Sequence, residues 1–356
     1  MSPATKNRRR APRPAGRSAD SSVDLTRLLD IVALFPRQRI CVVGDFVLDE
    51  FVSGEISRVS REAPVLILRR RASEIYPGGA ANAVNNLADL GARVVPVGVV
   101  GDDEGGRALL ESFRQKRVDT SRILRVRGWT TTTKTRFLAG WTHTTEQQVL
   151  RVDREPSGEL PAQTQEAVAR KARPAARRAD AVLVSDYGLG AATPALVRGL
   201  RAKCITLDSR FRLLEYRDAG VTAATPNEPE IEAAYQARIG NNKEKLEELG
   251  ARALRDLGVE SVLVTRGKDG LAVFERDSDS PRHIPIYGSD APVDVTGAGD
   301  TVIAVFTLAR AAGASWVEAA HLANYAGGIV VMKRRTATVT RAELEAALRR
   351  EATAQR

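Results

Sequence analysis

The sequence predicts an α/β fold in which helices cover both faces of a mostly parallel β-sheet. From residue 161 onward, short uninterrupted runs of Val, Ile and Leu alternate with helical segments. Such runs are typical of strands buried on both faces, and their alternation with helices is typical of a parallel sheet. Two other stretches, about residues 46–70 and 129–153, alternate apolar and polar side chains instead. That pattern predicts a small separate β-layer, which we call the lid.

The individual elements follow from apolar periodicity and from the breaks that Gly and Pro introduce. We predict helices at 23–35, 80–90, 104–117, 161–178, 193–202, 228–238, 243–257, 300–312, 315–332 and 341–351. We predict core strands at 39–44, 91–100, 181–185, 204–208, 221–224 and 261–265, and a hairpin near 271–287. Because no repeat or linker interrupts this series, the elements indicate a single domain over residues 23–352.

The first 22 residues differ in composition from the rest. The chain of 356 residues carries a net charge of +10, and half of that excess lies in the first 20 residues. We predict that residues 1–22 form a disordered basic tail. The remaining body is modestly basic and only 5% of all residues are aromatic, so we expect no specific nucleic-acid partner.

Targeting signals are absent from the sequence pattern. No apolar stretch reaches the ~18 residues that a membrane span requires, and the start has no hydrophobic signal core. Cys41 and Cys204 lie in apolar, strand-like runs, which is typical of buried reduced thiols. We therefore expect a cytoplasmic protein with no membrane contact.

The most informative motif is Asp294-Val-Thr-Gly-Ala-Gly-Asp300, which precedes an apolar run. Small residues that lead into a helix describe a tight turn whose free N–H groups, with the helix dipole, attract an anion such as a phosphoryl group. A carboxylate beside bound phosphate is unfavourable unless it has a task, and Asp300 is suited to accept the proton of an attacking hydroxyl. Alternatively, Asp300 is an ordinary helix cap after a glycine turn.

A second motif, Pro77-Gly-Gly-Ala-Ala-Asn82, enters a predicted helix. The glycine pair lets the backbone approach a ligand closely, and Asn82 offers a donor and an acceptor to a sugar hydroxyl. Asp45 and Asp49 follow the first strand, at the edge where open α/β sheets bind ligands, and can accept bonds from sugar hydroxyls. A tight turn with a capping Asn and turn-forming Asp residues is the alternative.

Two further loops follow later strands. In Thr225-Pro-Asn-Glu-Pro-Glu230, Asn227 and Glu230 are three residues apart, so both can face one site and hold Mg²⁺ through water. The same pair can instead form a capping box. Thr265 and Gly267 follow the strand residues 261–264, and such a loop can cover nucleotide phosphates or ribose; an ordinary turn is the alternative.

Together and in this order, these motifs resemble the PfkB, or ribokinase-like, family of sugar kinases over about residues 35–345. The two stretches that carry the resemblance are Gly78-Gly-Ala-Ala-Asn-Ala-Val-Asn-Asn-Leu-Ala-Asp-Leu-Gly-Ala-Arg-Val-Val-Pro-Val-Gly-Val-Val-Gly-Asp102 and Asp294-Val-Thr-Gly-Ala-Gly-Asp300. The resemblance implies a ribokinase-like three-layer αβα sandwich with a small β-sheet lid, ATP as the phosphoryl donor and Mg²⁺. It also implies a homodimer formed through the lid.

The resemblance assigns roles to particular positions. The catalytic positions are the base Asp300 and three residues whose amides would line an anion hole, Gly297, Ala298 and Gly299. The sugar-binding positions are Asp49, Gly78, Gly79 and Asn82. The positions for magnesium and phosphate are Asn227 and Glu230, and Asn324 corresponds to a position that lines the adenine pocket.

Within the family, several stretches are similar to the kinases that phosphorylate D-glycero-β-D-manno-heptose 7-phosphate at O1, on the route to ADP-heptose. These stretches are residues 44–49, 56–65, 133–136, 147–153 and 184–187. A phosphorylated acceptor requires cations away from the anion hole, and Arg binds phosphate bidentately. The predicted lid carries such cations at Arg58, Arg61, Lys134, Arg136 and Arg151. We select Lys134 and Arg136, together with Asp186, as substrate-binding candidates; a solvated basic face is the alternative.

Some positions depart from that group of heptose kinases. Leu189 stands where Lys is usual, Ser209-Arg210 where Pro-Lys is usual, and Arg61 where Pro is common, so another sugar, sugar phosphate or nucleoside remains open as the acceptor. The resemblance implies a monovalent cation such as K⁺ near Asp294, although residues 333–336 lack a glycine that is usual there.

Other function classes are weaker or remain as alternatives. Many relatives are bifunctional and carry a nucleotidyltransferase with a His-x-Gly-His motif, but the histidines here, 143, 283 and 321, are isolated, so we expect a kinase only. A dinucleotide-dependent oxidoreductase is disfavoured because the first strand lacks G-x-G-x-x-G. A non-catalytic protein that binds polyanions through its basic tail is the remaining alternative.

Overall fold

Two β-sheets and ten helices make up the part of the chain described by a computed structural model, residues 23–141 and 146–354. The strands are β1 (Arg39–Gly44), β2 (Phe46–Val59), β3 (Leu66–Gly79), β4 (Arg93–Gly101), β5 (Ile123–Val126), β6 (Thr133–Gly140), β7 (Gln147–Arg154), β8 (Ala181–Asp186), β9 (Ile205–Ser209), β10 (Ala223–Ala224), β11 (Ser261–Thr265), β12 (Leu271–Glu275) and β13 (Arg282–Ile284). The helices are α1 (Leu25–Ala33), α2 (Ala80–Asp89), α3 (Glu104–Gln115), α4 (Ala162–Ala176), α5 (Pro194–Arg198), α6 (Glu228–Tyr235), α7 (Lys243–Leu257), α8 (Ala298–Ala311), α9 (Trp316–Val330) and α10 (Arg341–Ala354).

The larger sheet has nine strands in the order β13-β12-β11-β10-β9-β8-β1-β4-β5. Neighbouring strands from β11 to β5 in this order pair in parallel, whereas β12 and β13 pair antiparallel at one edge. The carboxyl ends of the parallel strands therefore meet along one edge, where the loops after β1, β8, β9 and β11 lie together.

Helices cover both faces of this sheet, as the sequence predicts. Successive side chains of a strand point to opposite faces, and in β1 Ile40 and Val42 pack into one apolar cluster with α1, α2, α3, α8, α9 and α10. Cys41 and Val43 point the other way, into a second cluster with α4, α5, α6 and α7. The three-layer αβα class is thus confirmed.

The smaller sheet is the lid, with strand order β3-β2-β6-β7. Its strands are continuous in sequence with the core, because β2 begins two residues after β1 and β3 leads directly into α2. β3 continues to Gly79, beyond the predicted lid segment at 46–70, because residues 71–79 pair with the first half of β2 although their apolar pattern is weak. In the register, Asp49 lies opposite Lys134, and Lys134 opposite Asp153, so these side chains share one face of the lid.

Helix α8 begins at Ala298, two residues before the predicted start at 300. The preceding residue, Gly297, has a φ of 78°, a left-handed conformation that turns the chain sharply into the helix. Asp300 consequently lies in the first helical turn rather than at the cap.

Some predicted features fall outside the described residues. The basic tail at 1–22 and residues 142–145 of the predicted lid segment 129–153 belong to this group. Among the helices that the structure does describe, none is both long enough and apolar enough to cross a lipid bilayer.

Candidate active site

The carboxylate of Asp300 lies at the carboxyl edge of the large sheet, held by two side chains from other elements. Nδ2 of Asn82, in the first turn of α2, donates to Oδ2 of Asp300 at 3.2 Å. The hydroxyl of Tyr187, directly after β8, donates to Oδ1 at 2.9 Å. Asp300 is only 4% exposed. Residues that are far apart in the sequence thus converge on one carboxylate.

Burial sets the protonation behaviour of this carboxylate. The pKa of Asp300 is raised to about 7, chiefly by the loss of water around its carboxylate and in smaller part by the nearby carboxylate of Asp49. The hydrogen bonds from Asn82 and Tyr187 act in the opposite direction, because they stabilise the charged form. A carboxyl group with a pKa near neutrality is suited to accept a proton from a hydroxyl and release it again.

The turn that enters α8 presents backbone amides beside Asp300. A side chain at Gly297 would place its Cβ 2.4 Å from Nδ2 of Asn82, so this position has no room for one. The amide of Ala298 bonds to the carbonyl of Val295 at 3.2 Å and is already used. A Cβ at Gly299 would meet no atom within 4 Å. The first-turn amides that remain beside open space are therefore those at Gly299 and Asp300.

Asp49, in β2, lies close to this turn and is also paired. Its Oδ1 accepts a bond from Nη1 of Arg136 at 2.6 Å, and its Oδ2 accepts one from the Thr336 hydroxyl at 3.0 Å. A Cβ at Gly78 would lie 2.6 Å from Oδ2 of Asp49, so the carboxylate rests against bare backbone there. Gly79 has a φ of 56° and turns the chain into α2.

Asn82 and Asp186 have surroundings that differ from our predictions for them. Asn82 is fully buried; its amide group donates to Asp300 and to the carbonyl of Gly297, and its carbonyl accepts from Asn86. It therefore positions Asp300 and is not free for a sugar hydroxyl.

The carboxylate of Asp186 is 1% exposed and is saturated by donors. These donors are Gly188, Ser209, Arg212 and Tyr216. This arrangement gives no support to the predicted substrate-binding role, because both carboxylate oxygens of Asp186 already accept hydrogen bonds from the protein. Among the described residues, the donors to the carboxylate of Asp45, which we also considered for sugar binding, are the backbone amides of Tyr187, Leu189 and Ala191.

A cavity of about 430 Å³ opens next to the turn before α8. Gly299 forms one wall, and oxygen-bearing side chains of Asp208, Asn227 and Glu230 form another. Asn227 and Glu230 also make a complete capping box, with reciprocal bonds of 2.8 and 2.9 Å. The two alternatives for this pair are thus compatible, because the capping box uses Oε2 of Glu230 and the residue still lines the cavity.

The oxygen atoms that line this cavity are suited to bind a magnesium ion. Burial raises the pKa of Glu230 to about 7, and burial with neighbouring carboxylates raises the pKa of Asp208 well above its usual range. The buried hydroxyl of Thr225 has no hydrogen-bond partner in the described structure. Carboxylate, amide and hydroxyl oxygens are the ligands that Mg²⁺ prefers, and a cation there would offset the repulsion between the carboxylates. Within the described ranges, no group of three or more His, Cys, Asp or Glu side chains is placed to hold a metal ion.

A third region, an apolar slot of about 190 Å³, continues from this cavity. Thr265 and Gly299 line both, and Gly267 and Asn324 line the slot. Asn324 also stabilises the neighbouring loop, since its Nδ2 donates to the carbonyl of Pro285 at 2.8 Å. The predicted nucleotide residues Thr265, Gly267 and Asn324 therefore share one slot, which opens toward Asn227 and Glu230.

The two cations predicted to bind a distal phosphate have different surroundings. Lys134 lies 3.6 Å from Asp153 and lines a further cavity between the lid and the loops after β8 and β9. Arg136 is 11% exposed and is committed to Asp49. The structure thus places Lys134 where a ligand can reach it, and Arg136 where it orients Asp49.

Asp294, where a K⁺ site is expected, accepts two backbone amides. Its Oδ1 bonds to the amide of Thr296 at 2.9 Å and its Oδ2 to the amide of Arg335 at 3.0 Å. Arg335 adopts a φ of 68°, so an arginine holds the left-handed conformation that the usual glycine would favour.

Sequence reasoning missed several residues of this site. Tyr187 directly follows β8 and Asp208 is the penultimate residue of β9, and their place at the carboxyl edge of the sheet was a signal that we did not use. Thr336 lies far from Asp49 in the sequence and Asn86 has no distinctive pattern, so no local signal marked either of them.

Comparison with known proteins identifies the family. The family model described as "pfkB family carbohydrate kinase" matches residues 37–343 of the chain. The chain is 40% identical over 323 residues to the protein named "Bifunctional protein HldE" of Desulfatibacillum aliphaticivorans, which aligns with 89% of this chain and 64% of that protein. The HldE protein of Mesorhizobium japonicum is 39% identical, over 89% of this chain and 63% of its own length. The chain thus spans less than two thirds of these relatives.

Solved structures share the fold at low sequence identity. Phosphofructokinase-2 from Escherichia coli, in complex with substrates and products, has a TM-score of 0.69 and 15% identity, covering 88% of this chain and 99% of that one. Ribokinase of Arabidopsis thaliana, complexed with ribose and ATP, has a TM-score of 0.66 and 19% identity, covering 87% and 98%. These structures show the shared fold, and the family model over residues 37–343 shows that the chain belongs to the pfkB family of carbohydrate kinases.

Proposed function

We propose that this kinase transfers the γ-phosphoryl group of ATP to O1 of D-glycero-β-D-manno-heptose 7-phosphate. The observation that carries the proposal is the convergence on Asp300: a buried carboxylate with a pKa of about 7, beside free helix amides and a cavity lined by magnesium-type donors. The naming of the curated relatives as HldE, together with lid cations beside a further cavity, supports a phosphorylated heptose as the acceptor.

In this proposal Asp300 acts as the general base. Its carboxylate accepts the proton of the acceptor hydroxyl while that oxygen attacks the γ-phosphorus. Asn82 and Tyr187 hold the two carboxylate oxygens in place, so no side-chain reorganisation is required. The amides of Gly299 and Asp300, at the positive end of the α8 dipole, stabilise the charge on the transferred group.

The remaining residues bind the substrates. ATP lies along the slot of Thr265, Gly267 and Asn324, with its phosphates directed toward Gly299. Asn227 and Glu230, together with Asp208, would hold Mg²⁺ through water, and this ion supplies charge neutralisation for the phosphates when bound. The lid covers the acceptor and excludes water, which protects ATP from hydrolysis.

A screen of ATP consumption tests the acceptor. Purified enzyme with Mg²⁺-ATP is offered free and phosphorylated hexoses and heptoses, and nucleosides, each at the same concentration. We expect the highest kcat/KM with heptose 7-phosphate. Higher turnover of fructose, ribose or a nucleoside would replace the proposed acceptor with the alternative of a ribokinase- or fructokinase-like enzyme. Activity that requires residues 1–22 and no ATP would favour a polyanion-binding protein instead.

We also propose a homodimer formed through the outer face of the lid. In the register, Ile75, Leu150 and Val152 point away from the face that carries Asp49 and Lys134, and each is about half exposed. An exposed apolar sheet face of this kind is typical of a surface that pairs with a second copy. The variant Leu150→Glu with Val152→Glu should elute as a monomer in size-exclusion chromatography with light scattering. A monomeric wild-type protein would contradict the proposal.

A cytoplasmic location fits this function. The donor ATP is abundant there, and Cys41 and Cys204 are both free thiols in the described structure, as a reducing compartment favours. Fractionation of cells that produce the tagged protein would test this location.

A further inference from the structure

A separate cavity of about 150 Å³ lies between the lid and the loops that follow β8 and β9. Lys134 and Arg151 reach it from the lid, and Arg210 lies on its opposite wall. Tyr187 and Arg210 line both this cavity and the larger one that holds the magnesium-type donors. Because Tyr187 also contacts Asp300, the small cavity begins beside the attacking position and extends away from it.

Positively charged side chains outnumber negatively charged ones in the lining of this cavity. Lys134 and Arg151 share one carboxylate, that of Asp153, at 3.6 and 2.9 Å. Arg210 adds a third positive charge, and Glu155 is the other carboxylate in the lining. Three cations therefore face two carboxylates in a confined space, which favours an anionic ligand.

Arg210 is the cation in this group whose guanidinium is not bonded to a carboxylate among the described residues, although its charge acts to lower the pKa of Asp208 and of Glu230. Its guanidinium makes no hydrogen bond or ion pair with any residue in the described ranges, and it lies 5.4 Å from the ring centre of Phe211. Its backbone amide is fixed by the carbonyl of Asp186 at 3.0 Å. The residue is thus anchored at its main chain while all its guanidinium donors remain available, an arrangement suited to bidentate binding of phosphate.

Arg136 does not compete for this role. Its guanidinium is bonded to Asp49 at 2.6 Å and stacks 5.3 Å from the ring centre of Phe51. It is absent from the lining of the small cavity, although its neighbour two residues earlier, Lys134, is part of that lining. A ligand phosphate would have to break a buried ion pair in order to reach it.

We infer that Arg210, with Lys134 and Arg151, binds a phosphate group that the acceptor sugar carries at the end remote from the attacked hydroxyl. The inference rests on the proposed function and adds a specificity-determining residue to it. Arg210 contributes the main contact because no carboxylate among the described residues forms a hydrogen bond or close ion pair with it, whereas Lys134 and Arg151 are partly neutralised by Asp153.

The test compares one acceptor with and without its distal phosphate. Initial rates are measured with heptose 7-phosphate and with the same heptose lacking the 7-phosphate, for the wild type, Arg210→Gln and Arg210→Lys. Loss of a charge-assisted contact of about 1.5–3 kcal/mol predicts a roughly 10- to 100-fold lower kcat/KM for the phosphorylated acceptor. The preference for that acceptor should fall by the same factor in Arg210→Gln, mainly through KM, and Arg210→Lys should recover part of it.

A matched control is Arg178→Gln. This exposed arginine precedes the amino end of β8, at the opposite edge of the sheet from the site, and its loss should leave both acceptors unaffected. Equal losses for both acceptors in Arg210→Gln would show that Arg210 acts on the transferred phosphoryl group, and would overturn the inference. An unchanged preference would also overturn it.

The outcome for the wild type separates this inference from the proposed function. If the wild type phosphorylates another phosphorylated sugar in the acceptor screen, the same comparison is made with that sugar and its unphosphorylated form. If it acts only on unphosphorylated acceptors, the proposed acceptor and the phosphate subsite both fail. If it acts on a phosphorylated acceptor and Arg210→Gln keeps the preference, only the subsite fails.

Discussion

The hydroxyl of Tyr187 donates a 2.9 Å hydrogen bond to Oδ1 of Asp300. This contact joins the loop after β8 to the first turn of α8, and it opposes the effect of burial on the carboxylate. Burial alone favours the protonated acid, which cannot accept a proton. The bond from Tyr187 therefore keeps Asp300 partly ionised near neutral pH.

The first prediction concerns the pH dependence of turnover. Because the pKa of Asp300 is about 7, the wild-type rate should rise with pH through about 7 and level off above it. Tyr187→Phe removes a donor to the charged form, so the acid limb should move upward by about 1–2 pH units. The rate loss should then be larger at pH 7 than at pH 9. A loss that is equal at all pH values would mean that Tyr187 does not control the ionisation of Asp300.

The second prediction concerns the charge of Asp300 itself. Asp300→Asn keeps the shape and removes the base, so kcat should fall by about 10²–10⁴-fold, the usual contribution of a general base. The dissociation constant of ATP should stay within a few-fold of the wild type, since the slot for the nucleotide is unchanged. Equilibrium titration with a non-hydrolysable ATP analogue measures this constant. Near-normal turnover of the variant would refute the role of Asp300.

The same variant predicts a change in stability. The folded pKa of about 7 lies above the ordinary pKa of 3.8 for an Asp side chain, so the folded state binds more protons between these values and stability falls as pH rises from about 4 to 7. Asp300→Asn avoids this loss, so at pH 8 its free energy of unfolding should exceed that of the wild type by up to about 4 kcal/mol. The variant should therefore unfold at a higher denaturant concentration. The gain should shrink toward pH 4. A variant that is less stable at pH 8 would contradict this account.

Much of this architecture was predictable from the chain, because short apolar strands and their helices leave a strong periodic signal. The turn 294–300 and the pair Asn227 and Glu230 were also predictable, since glycine turns and capping residues are local patterns. The roles of Asn82 and Asp186 were not. Whether a polar side chain binds a ligand or another residue depends on tertiary partners, and Asn82 and Asp186 each have partners that are distant in the sequence, Asp300 and Ser209.

The lid cations illustrate the same limit. Alternation predicted the strands that carry Lys134 and Arg136, and both side chains point to the same face of the lid. One of them meets Asp49 and the other meets a cavity. The difference arises because Arg136 in β6 reaches diagonally to Asp49 in β2, although Lys134 is the residue directly opposite Asp49. No local sequence pattern encodes this contact between strands.

The third prediction uses two glycines of the same turn as a matched pair. Gly297→Ala would place a Cβ 2.4 Å from Nδ2 of Asn82 at a φ of 78°, so it should destabilise the protein by several kcal/mol and displace Asn82 from Asp300. Gly299→Ala meets no atom within 4 Å and lies within a helix, so it should fold normally. Its methyl group enters the space between the nucleotide slot and the larger cavity, so the KM for ATP should rise. Equal thermal stability of the two variants would contradict the prediction.

The last prediction concerns Arg335, which joins the lid to the loop before α8. Its guanidinium bonds to Ser53, Glu74 and Glu146 at 3.0–3.2 Å, while its amide bonds to Asp294. Arg335→Gly suits the left-handed backbone and removes only the side chain, so the lid should open more often. We expect a several-fold higher KM for the acceptor and faster ATP hydrolysis without acceptor, because water then enters the site. Arg334→Ala, a neighbouring exposed change, should alter neither quantity. Unchanged hydrolysis in Arg335→Gly would show that this arginine does not hold the lid closed.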